Sequence, residues 1–147
     1  MPNQSNIEKL NSPGLFTRFE NTSKGRCVRA SPLEYDELMR IVPPGKLITV
    51  NQIEEALVKK FKADYACPRT SAAFIQLVAL ASEERVVLGS RNITPWWRTL
   101  KGNGELNGQF PGGADAQKML LEIEGHKTIQ QGRKYLIKDW RDKLHSL

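Results

Sequence analysis

Apolar residues recur at helical spacing in four stretches of the chain, and the intervals between them are rich in proline and glycine. "SPLEYDELMRIV" (31–42) predicts the first helix. Ser31 is placed to cap it, Pro32 suits the first helical position, and Glu34 stands where a capping box needs its acid. Leu33, Leu38, Ile41 and Val42 form its predicted inner stripe. "PPG" at 43–45 stops it, and residues 47–50 read as a short extended segment. Thr49 followed by Gln52 predicts a second capping box, opening a helix whose inner face is Val50, Ile53, Leu57, Val58 and Phe61. Lys59, Lys60 and Lys62 suit the negative end of its dipole. After a loop at 62–68 a third helix runs over about 69–88. It is apolar nearly all round between Ala72 and Ala81, as a central buried helix is. Residues 92–111 read as loops with short strands near 97–100 and 105–106. "GGADAQKMLLEIEG" (112–125) is the fourth helix, with Ala116, Met119, Leu120 and Ile123 inward.

Outside these helices the pattern weakens. Residues 1–30 read as an irregular extension, broken by "SPG" at 12–14, from which "LFTRFE" packs a phenylalanine or two onto the domain. Residues 126–147 predict a small hairpin about Gly132 and a last helical turn. The organisation is thus an extension (1–30), one domain (31–125) and a second extension (126–147). The order helix, short strand, helix, loop, helix, hairpin-like loop, helix predicts a mostly α fold with a small β wing, a winged helix-turn-helix.

Composition narrows the class. A chain of 147 residues with 39% hydrophobic content fits one domain. The longest mainly apolar run, 72–81, is too short to span a membrane, and "MPNQSNIEKL" lacks the apolar core of a signal peptide. The expectation is a soluble, cytoplasmic, monomeric protein, nucleoid-associated if bacterial, with no membrane partner. Cys27 and Cys67 give neither metal spacing nor a disulfide framework, so a reduced compartment, no metal and no cofactor are expected. The net charge of +6 is uneven. Residues 1–30 hold five Lys/Arg against two Asp/Glu, and residues 126–147 hold six against two, whereas the middle is nearly neutral. Basic flanks suit contact with nucleic-acid phosphates or simply a solvated surface.

Candidate chemistry centres on "NITPWWRTLKGNG" (92–104), where Trp96 and Trp97 stand side by side. Such a pair is either buried core or a platform on which a base stacks. If the segment is extended, the two rings point to opposite faces and one of them meets the pocket. Cys67, just before the third helix, is a second candidate nucleophile, but no histidine lies near it in sequence. His126 and His145 show no metal or base pairing.

These residues resemble a known family. "VPPGKLITVNQI" resembles the stretch before the first helix-turn-helix helix of the alkylguanine-DNA alkyltransferases, and "TPWWRTLKGNGELNGQFPGGADAQKMLLEIEG" resembles their active-site region. Pro95, Arg98, Gly104, Gly112, Gly113, Lys118, Leu120, Leu121, Glu124 and Gly125 stand in the places of its Pro-Cys-His-Arg-Val motif, glycine turn and Leu-Leu-x-x-Glu-Gly. The resemblance covers about residues 33–125, with a turn about one residue longer between Arg98 and Gly112. It implies the winged helix-turn-helix of the alkyltransferase C-terminal domain. Trp96 takes the place of the alkyl-acceptor cysteine and Trp97 that of its activating histidine. An indole supplies neither thiolate nor base, so direct alkyl transfer at this position is excluded.

A tryptophan for the cysteine also resembles the alkyltransferase-like branch, which usually keeps Pro-Trp-His-Arg; the second tryptophan departs from that. The branch implies a non-enzymatic protein that binds alkylated double-stranded DNA, flips the guanine, bends the duplex and signals to excision repair. By this resemblance Arg69 is the finger that fills the gap left by the base, and Thr70, Ser71, Ala72 and Ala73 are the small residues facing the minor groove. Phe74 departs from that run, and Val50 stands where a phosphate-turning tyrosine is expected. Pro95, Trp96, Trp97, Arg98 and Glu124 would make the base pocket, with Glu124 and Arg98 serving structure rather than catalysis. Two readings from other classes stand beside this one: a degenerate scaffold binding a protein partner through the tryptophan region, and an enzyme using Cys67.

Overall fold

The computed structural model describes residues 4–147. The chain starts with α1 (Asn6–Leu10) and a hairpin of β1 (Arg18–Thr22) and β2 (Gly25–Arg29). It continues through α2 (Pro32–Arg40), β3 (Ile48–Thr49), α3 (Val50–Phe61), β4 (Tyr65–Ala66) and α4 (Pro68–Val87). A 3-10 turn at Trp96–Arg98 leads into β5 (Thr99–Leu100), then α5 (Gly113–Ile123). The hairpin of β6 (Thr128–Gln131) and β7 (Lys134–Ile137) and a 3-10 turn at Trp140–Lys143 complete it.

The box predicted at Thr49 forms. Its hydroxyl accepts the Gln52 N–H at 3.2 Å, and the Gln52 side-chain oxygen accepts the Thr49 N–H at 3.0 Å. Ile53 and Leu57 are buried beneath α3, with Val50, Val58 and Phe61 packed beside them. Lys62, at φ +53, turns the chain toward α4, and α3 and α4 make the helix-turn-helix. β3 pairs in parallel with β5, Ile48 opposite Thr99 and Thr49 opposite Leu100, which ties the start of α3 to the tryptophan segment.

Several expected faces are rotated. The Ser31 hydroxyl makes no capping bond, and Glu34 reaches Lys60 at 2.6 Å instead of closing a box. Tyr35, Asp36 and Met39 face inward from α2, while Leu33 and Ile41 are exposed. On α5 the buried residues are Gln117 and Leu121, and Met119 and Ile123 are exposed. The reason is the same in both helices. Polar side chains can be buried when they are paired: Asp36 holds Arg40 and the Thr94 hydroxyl, and Gln117 bonds the carbonyls of Trp97 and Thr99 and the Asn107 N–H. An apolar-stripe argument cannot see such partners.

Residues 4–30, expected to be irregular, are ordered into a helix and a hairpin. The carboxylate of Glu84 accepts the Asn6 and Ile7 N–H groups, both at 3.0 Å, and so docks α1 on the end of α4. β2 pairs antiparallel with β1 and parallel with β4, giving a three-stranded sheet. Leu10, Val28 and Ala30 thereby join the main core. The hairpin escapes periodicity because β1 is exposed along nearly its whole length and β4 has only two residues. Phe19 rests edge-on against Phe61, while Phe16 is exposed under Arg18.

A smaller core gathers Leu47, Leu100, Leu106, Leu121 and Ile137. Residues past 125 contribute to it: β6 and β7 turn at Gly132 (φ +62), and the chain then returns to β3, where Leu47 bonds Lys143 and His145 through the backbone.

Two glycines in left-handed backbone separate conformation from space. A Cβ on Gly45 (φ +82) would meet nothing, whereas one on Gly104 (φ +84) would overlap the Trp140 indole. Gly45→Ala should cost about 1 kcal/mol from backbone alone. Gly104→Ala should cost at least about 1 kcal/mol more, because overpacking adds to the same strain. Urea unfolding midpoints of the two variants check this; equal losses would contradict it.

Candidate nucleic-acid interface and the tryptophan cluster

Pro95 enters the 3-10 turn, which then carries Trp96, Trp97 and Arg98 in succession. In a 3-10 turn neighbouring side chains diverge by about 120°, not the 180° of a strand, so the expectation of opposite faces is replaced. Trp96 points into the main core, 1% exposed. Its Nε1 donates to Glu83 at 3.0 Å, and its ring packs 5.2 Å from Phe110. Trp97 meets it edge-on at 5.8 Å and 86°, and lies between the two cores, partly exposed.

Arg98 is buried and its guanidinium is fully directed. Nε and Nη2 both donate to Glu124, Nη2 at 2.7 Å, and Nη1 donates to the Val42 carbonyl at 2.7 Å. Glu124 also accepts Trp97 Nε1 at 2.9 Å and the Gly45 N–H at 3.4 Å. Burial pushes the Glu124 carboxyl up, but the donors Arg98, Trp97 and Gly45, with the Arg98 charge, outweigh it and hold it below its ordinary value. One carboxylate thus joins the end of α5, the stop after α2 and the tryptophan turn.

The five residues predicted to form a base pocket are therefore together, but three of them are interior. Pro95, Trp96 and Arg98 are buried, and five surface cavities of about 220–590 Å³ are lined by other residues. Trp96 is not a stacking surface: its ring is enclosed and its N–H is taken. Trp97 is the partly exposed indole of the pair.

The first turn of α4 carries Arg69, Ala72 and Ala73 exposed and Thr70 partly so. Ser71 is corrected from this set. It is 1% exposed, and its hydroxyl bonds Tyr35 at 2.9 Å and Glu54 at 2.8 Å. Burial pushes Tyr35 up to about 12 and raises Glu54, so this trio belongs to the helix-packing face.

A cleft of about 590 Å³ beside Arg69 is lined also by Lys24, Thr22, Tyr65, Cys27, Cys67 and Arg29, the last paired with Glu20 in the same cleft at 2.8 Å. Lys24 and Arg29 come from the β1–β2 hairpin and were missed because that segment read as a tail; its excess of basic residues was the available signal. On the other flank, a cleft of about 480 Å³ holds Glu54, Glu55 and Asp64 with Lys59. Phosphate is favoured on the hairpin side of Arg69 and opposed on the other. Cys67 is the cap residue of α4. Burial raises its thiol, but hydrogen bonds from Thr70 and Arg69 bring it below the usual value. Among the described residues no group of three metal-ligating side chains comes together.

No protein-family model matches the chain, and no curated protein matches it. Solved structures do. S. pombe Atl1 in complex with damaged DNA containing O6-carboxymethylguanine superposes with TM-score 0.54 at 17% identity, over 79% of this chain and 94% of that one. S. pombe ATL in complex with DNA gives TM-score 0.55 at 16% identity with the same coverage. This chain has the fold of those alkyltransferase-like structures: mostly helical, with small sheets around a helix-turn-helix.

Removing the shared acceptor should loosen the cluster. Glu124→Gln should cost about 3 kcal/mol at pH 7, since Arg98 is left buried without its counter-charge. Trp97→Phe should cost about 1 kcal/mol through one lost hydrogen bond. The folded carboxyl titrates below its unfolded value of 4.5. Its contribution is therefore complete above about pH 4.5 and fades as pH falls through the lowered folded value. Urea unfolding across pH checks this, and a wild-type-to-Gln gap that does not narrow in acid would contradict it.

Proposed function

We propose that the protein is a non-catalytic, alkyltransferase-like DNA-binding protein that recognises alkylated guanine by base flipping and signals to DNA repair. The observation that carries this reading is the pairing of an alkyltransferase-like fold with Trp96, buried and bonded to Glu83, in the place where the resemblance puts the reacting cysteine. Recognition is retained where transfer is chemically absent.

In this reading α4 lies along the minor groove. Arg69 enters the base stack while Thr70, Ala72 and Ala73 allow close approach. Lys24, beside Arg69, takes a phosphate, and the basic residues past 125 add sequence-independent affinity. Flipping a base costs a few kcal/mol, and stacking on an aromatic ring returns about 1–3 kcal/mol. Trp97, partly exposed, is the ring for that contact, with Arg98 and Glu124 holding it in place. The protein acts as a monomer on duplex DNA, and its downstream partner is a repair protein.

Fluorescence anisotropy with matched duplexes, one carrying an O6-alkylguanine, tests the proposal. Affinity should fall steeply with salt, favour the lesion, and drop about tenfold or more in Arg69→Ala. The intact mass of the protein after incubation with the alkylated duplex should be unchanged. No binding even at low salt, or an added alkyl mass on Cys67, would overturn the reading.

A further inference from the structure

A small cavity lies where the chain leaves α5, among the basic residues past 125 and apart from the tryptophan cluster and the Arg69 helix. Its volume is about 220 Å³, and it is lined by Gly125, His126, Lys127, Lys138, Asp139 and Lys143. Two backbone devices shape it. Gly125 (φ +94) turns the chain into β6, and Asp139 (φ +55) turns it out of β7. The Lys138 N–H donates to the Lys127 carbonyl at 2.8 Å, which brings the two turns together. Lys143 enters from the last 3-10 turn.

The electrostatics are one-sided. Three lysines line the space against one acidic residue, Asp139. None of the three lysines is in an ion pair among the described residues, whereas Lys60, Lys101, Lys118 and Lys134 are. At the wall His126 is 6% exposed, and its Nε2 is buried without a hydrogen-bond partner. A buried polar atom left unpaired in a native fold asks for a ligand or water. Burial, with Lys143 and Arg98, pushes the imidazole below its ordinary value against the pull of Glu124, so it stands neutral with one N–H to donate.

We propose that this cavity is a binding site for a single tetrahedral oxyanion of the phosphate type, held by Lys127, Lys138 and Lys143 with His126 at its wall. A metal cation is repelled by the three ammonium groups. A whole nucleotide or a drug-sized ligand needs more room, since such sites run to about 300–1,000 Å³. Lysines act on phosphate as point charges and need no fixed fork, which suits side chains arriving from three separate turns. Either inorganic phosphate or the terminal phosphate of a nucleic acid carries this chemistry.

The test uses the whole protein. Inorganic phosphate is titrated at constant ionic strength, with chloride as the control, by calorimetry and by the ¹⁵N shifts of the His126 imidazole. One-to-one saturation is expected, with at least a tenfold weakening in the K138A/K143A double variant. Both lysines are exposed, so that variant should keep the wild-type circular dichroism and melting. A second arm compares a short duplex bearing a 5′-phosphate with its unphosphorylated twin. Tighter binding of the phosphorylated duplex, lost in the double variant, assigns the site to nucleic-acid ends. Saturation by inorganic phosphate with no preference between duplexes assigns it to the free ion. No saturation and no duplex preference, or phosphate binding undiminished in the double variant, would overturn the proposal. The phosphate arm needs no DNA, so its outcome stands apart from that of the DNA-binding reading.

Discussion

The arrangement depends on one carboxylate. Glu124 receives Arg98 through two nitrogens, Trp97 through its indole N–H and Gly45 through the backbone. With Glu124 itself these groups lie on three segments far apart in sequence, and the contact fixes their mutual position near the seam between the two cores. A single acceptor suffices because a buried carboxylate with several donors is stabilised in its charged form, and the Arg98 charge is neutralised at the same point. The remaining guanidinium nitrogen reaches the Val42 carbonyl, so the end of α2 is held as well.

That same carboxylate bears on the proposed separation of recognition from reaction. In a thiol-transfer site a glutamate orients a histidine that in turn activates a cysteine. Here the residue beside Arg98 is an indole, which can donate to Glu124 but cannot pass a proton onward. Trp96 goes further into the interior, against Phe110 and under Glu83, and fills space that a small thiol would leave open. The geometry thus leaves Trp96 to serve packing. Trp97, at the seam and partly exposed, is the member of the pair that can still meet something outside.

Much of this was legible in sequence, for physical reasons that differ by element. The Thr49 box and the inner face of α3 were readable because capping and 3.6-residue spacing are local. The inner faces of α2 and α5 were not, because Asp36, Tyr35 and Gln117 are buried by virtue of partners distant in sequence. The N-terminal hairpin was hidden because its strands show no alternation and its third strand lies 36 residues beyond β2. At the site, the order of motifs grouped Pro95 to Arg98 with Glu124, and the fold brings these residues together. What sequence could not give was the 3-10 turn, which decides that Trp96 is enclosed, and the inward side of Ser71, which is set by Tyr35 and Glu54.

The central claim is that a base meets the protein at Trp97 while Trp96 remains core. Tryptophan fluorescence of the protein with an alkylguanine duplex, compared between wild type and Trp97→Phe, tests it most directly. The account predicts quenching on adding the alkylated duplex, weaker quenching with the matched unmodified one, and loss of the difference in Trp97→Phe. Equal signals from the two duplexes in wild type, or a difference that survives in Trp97→Phe, would contradict it.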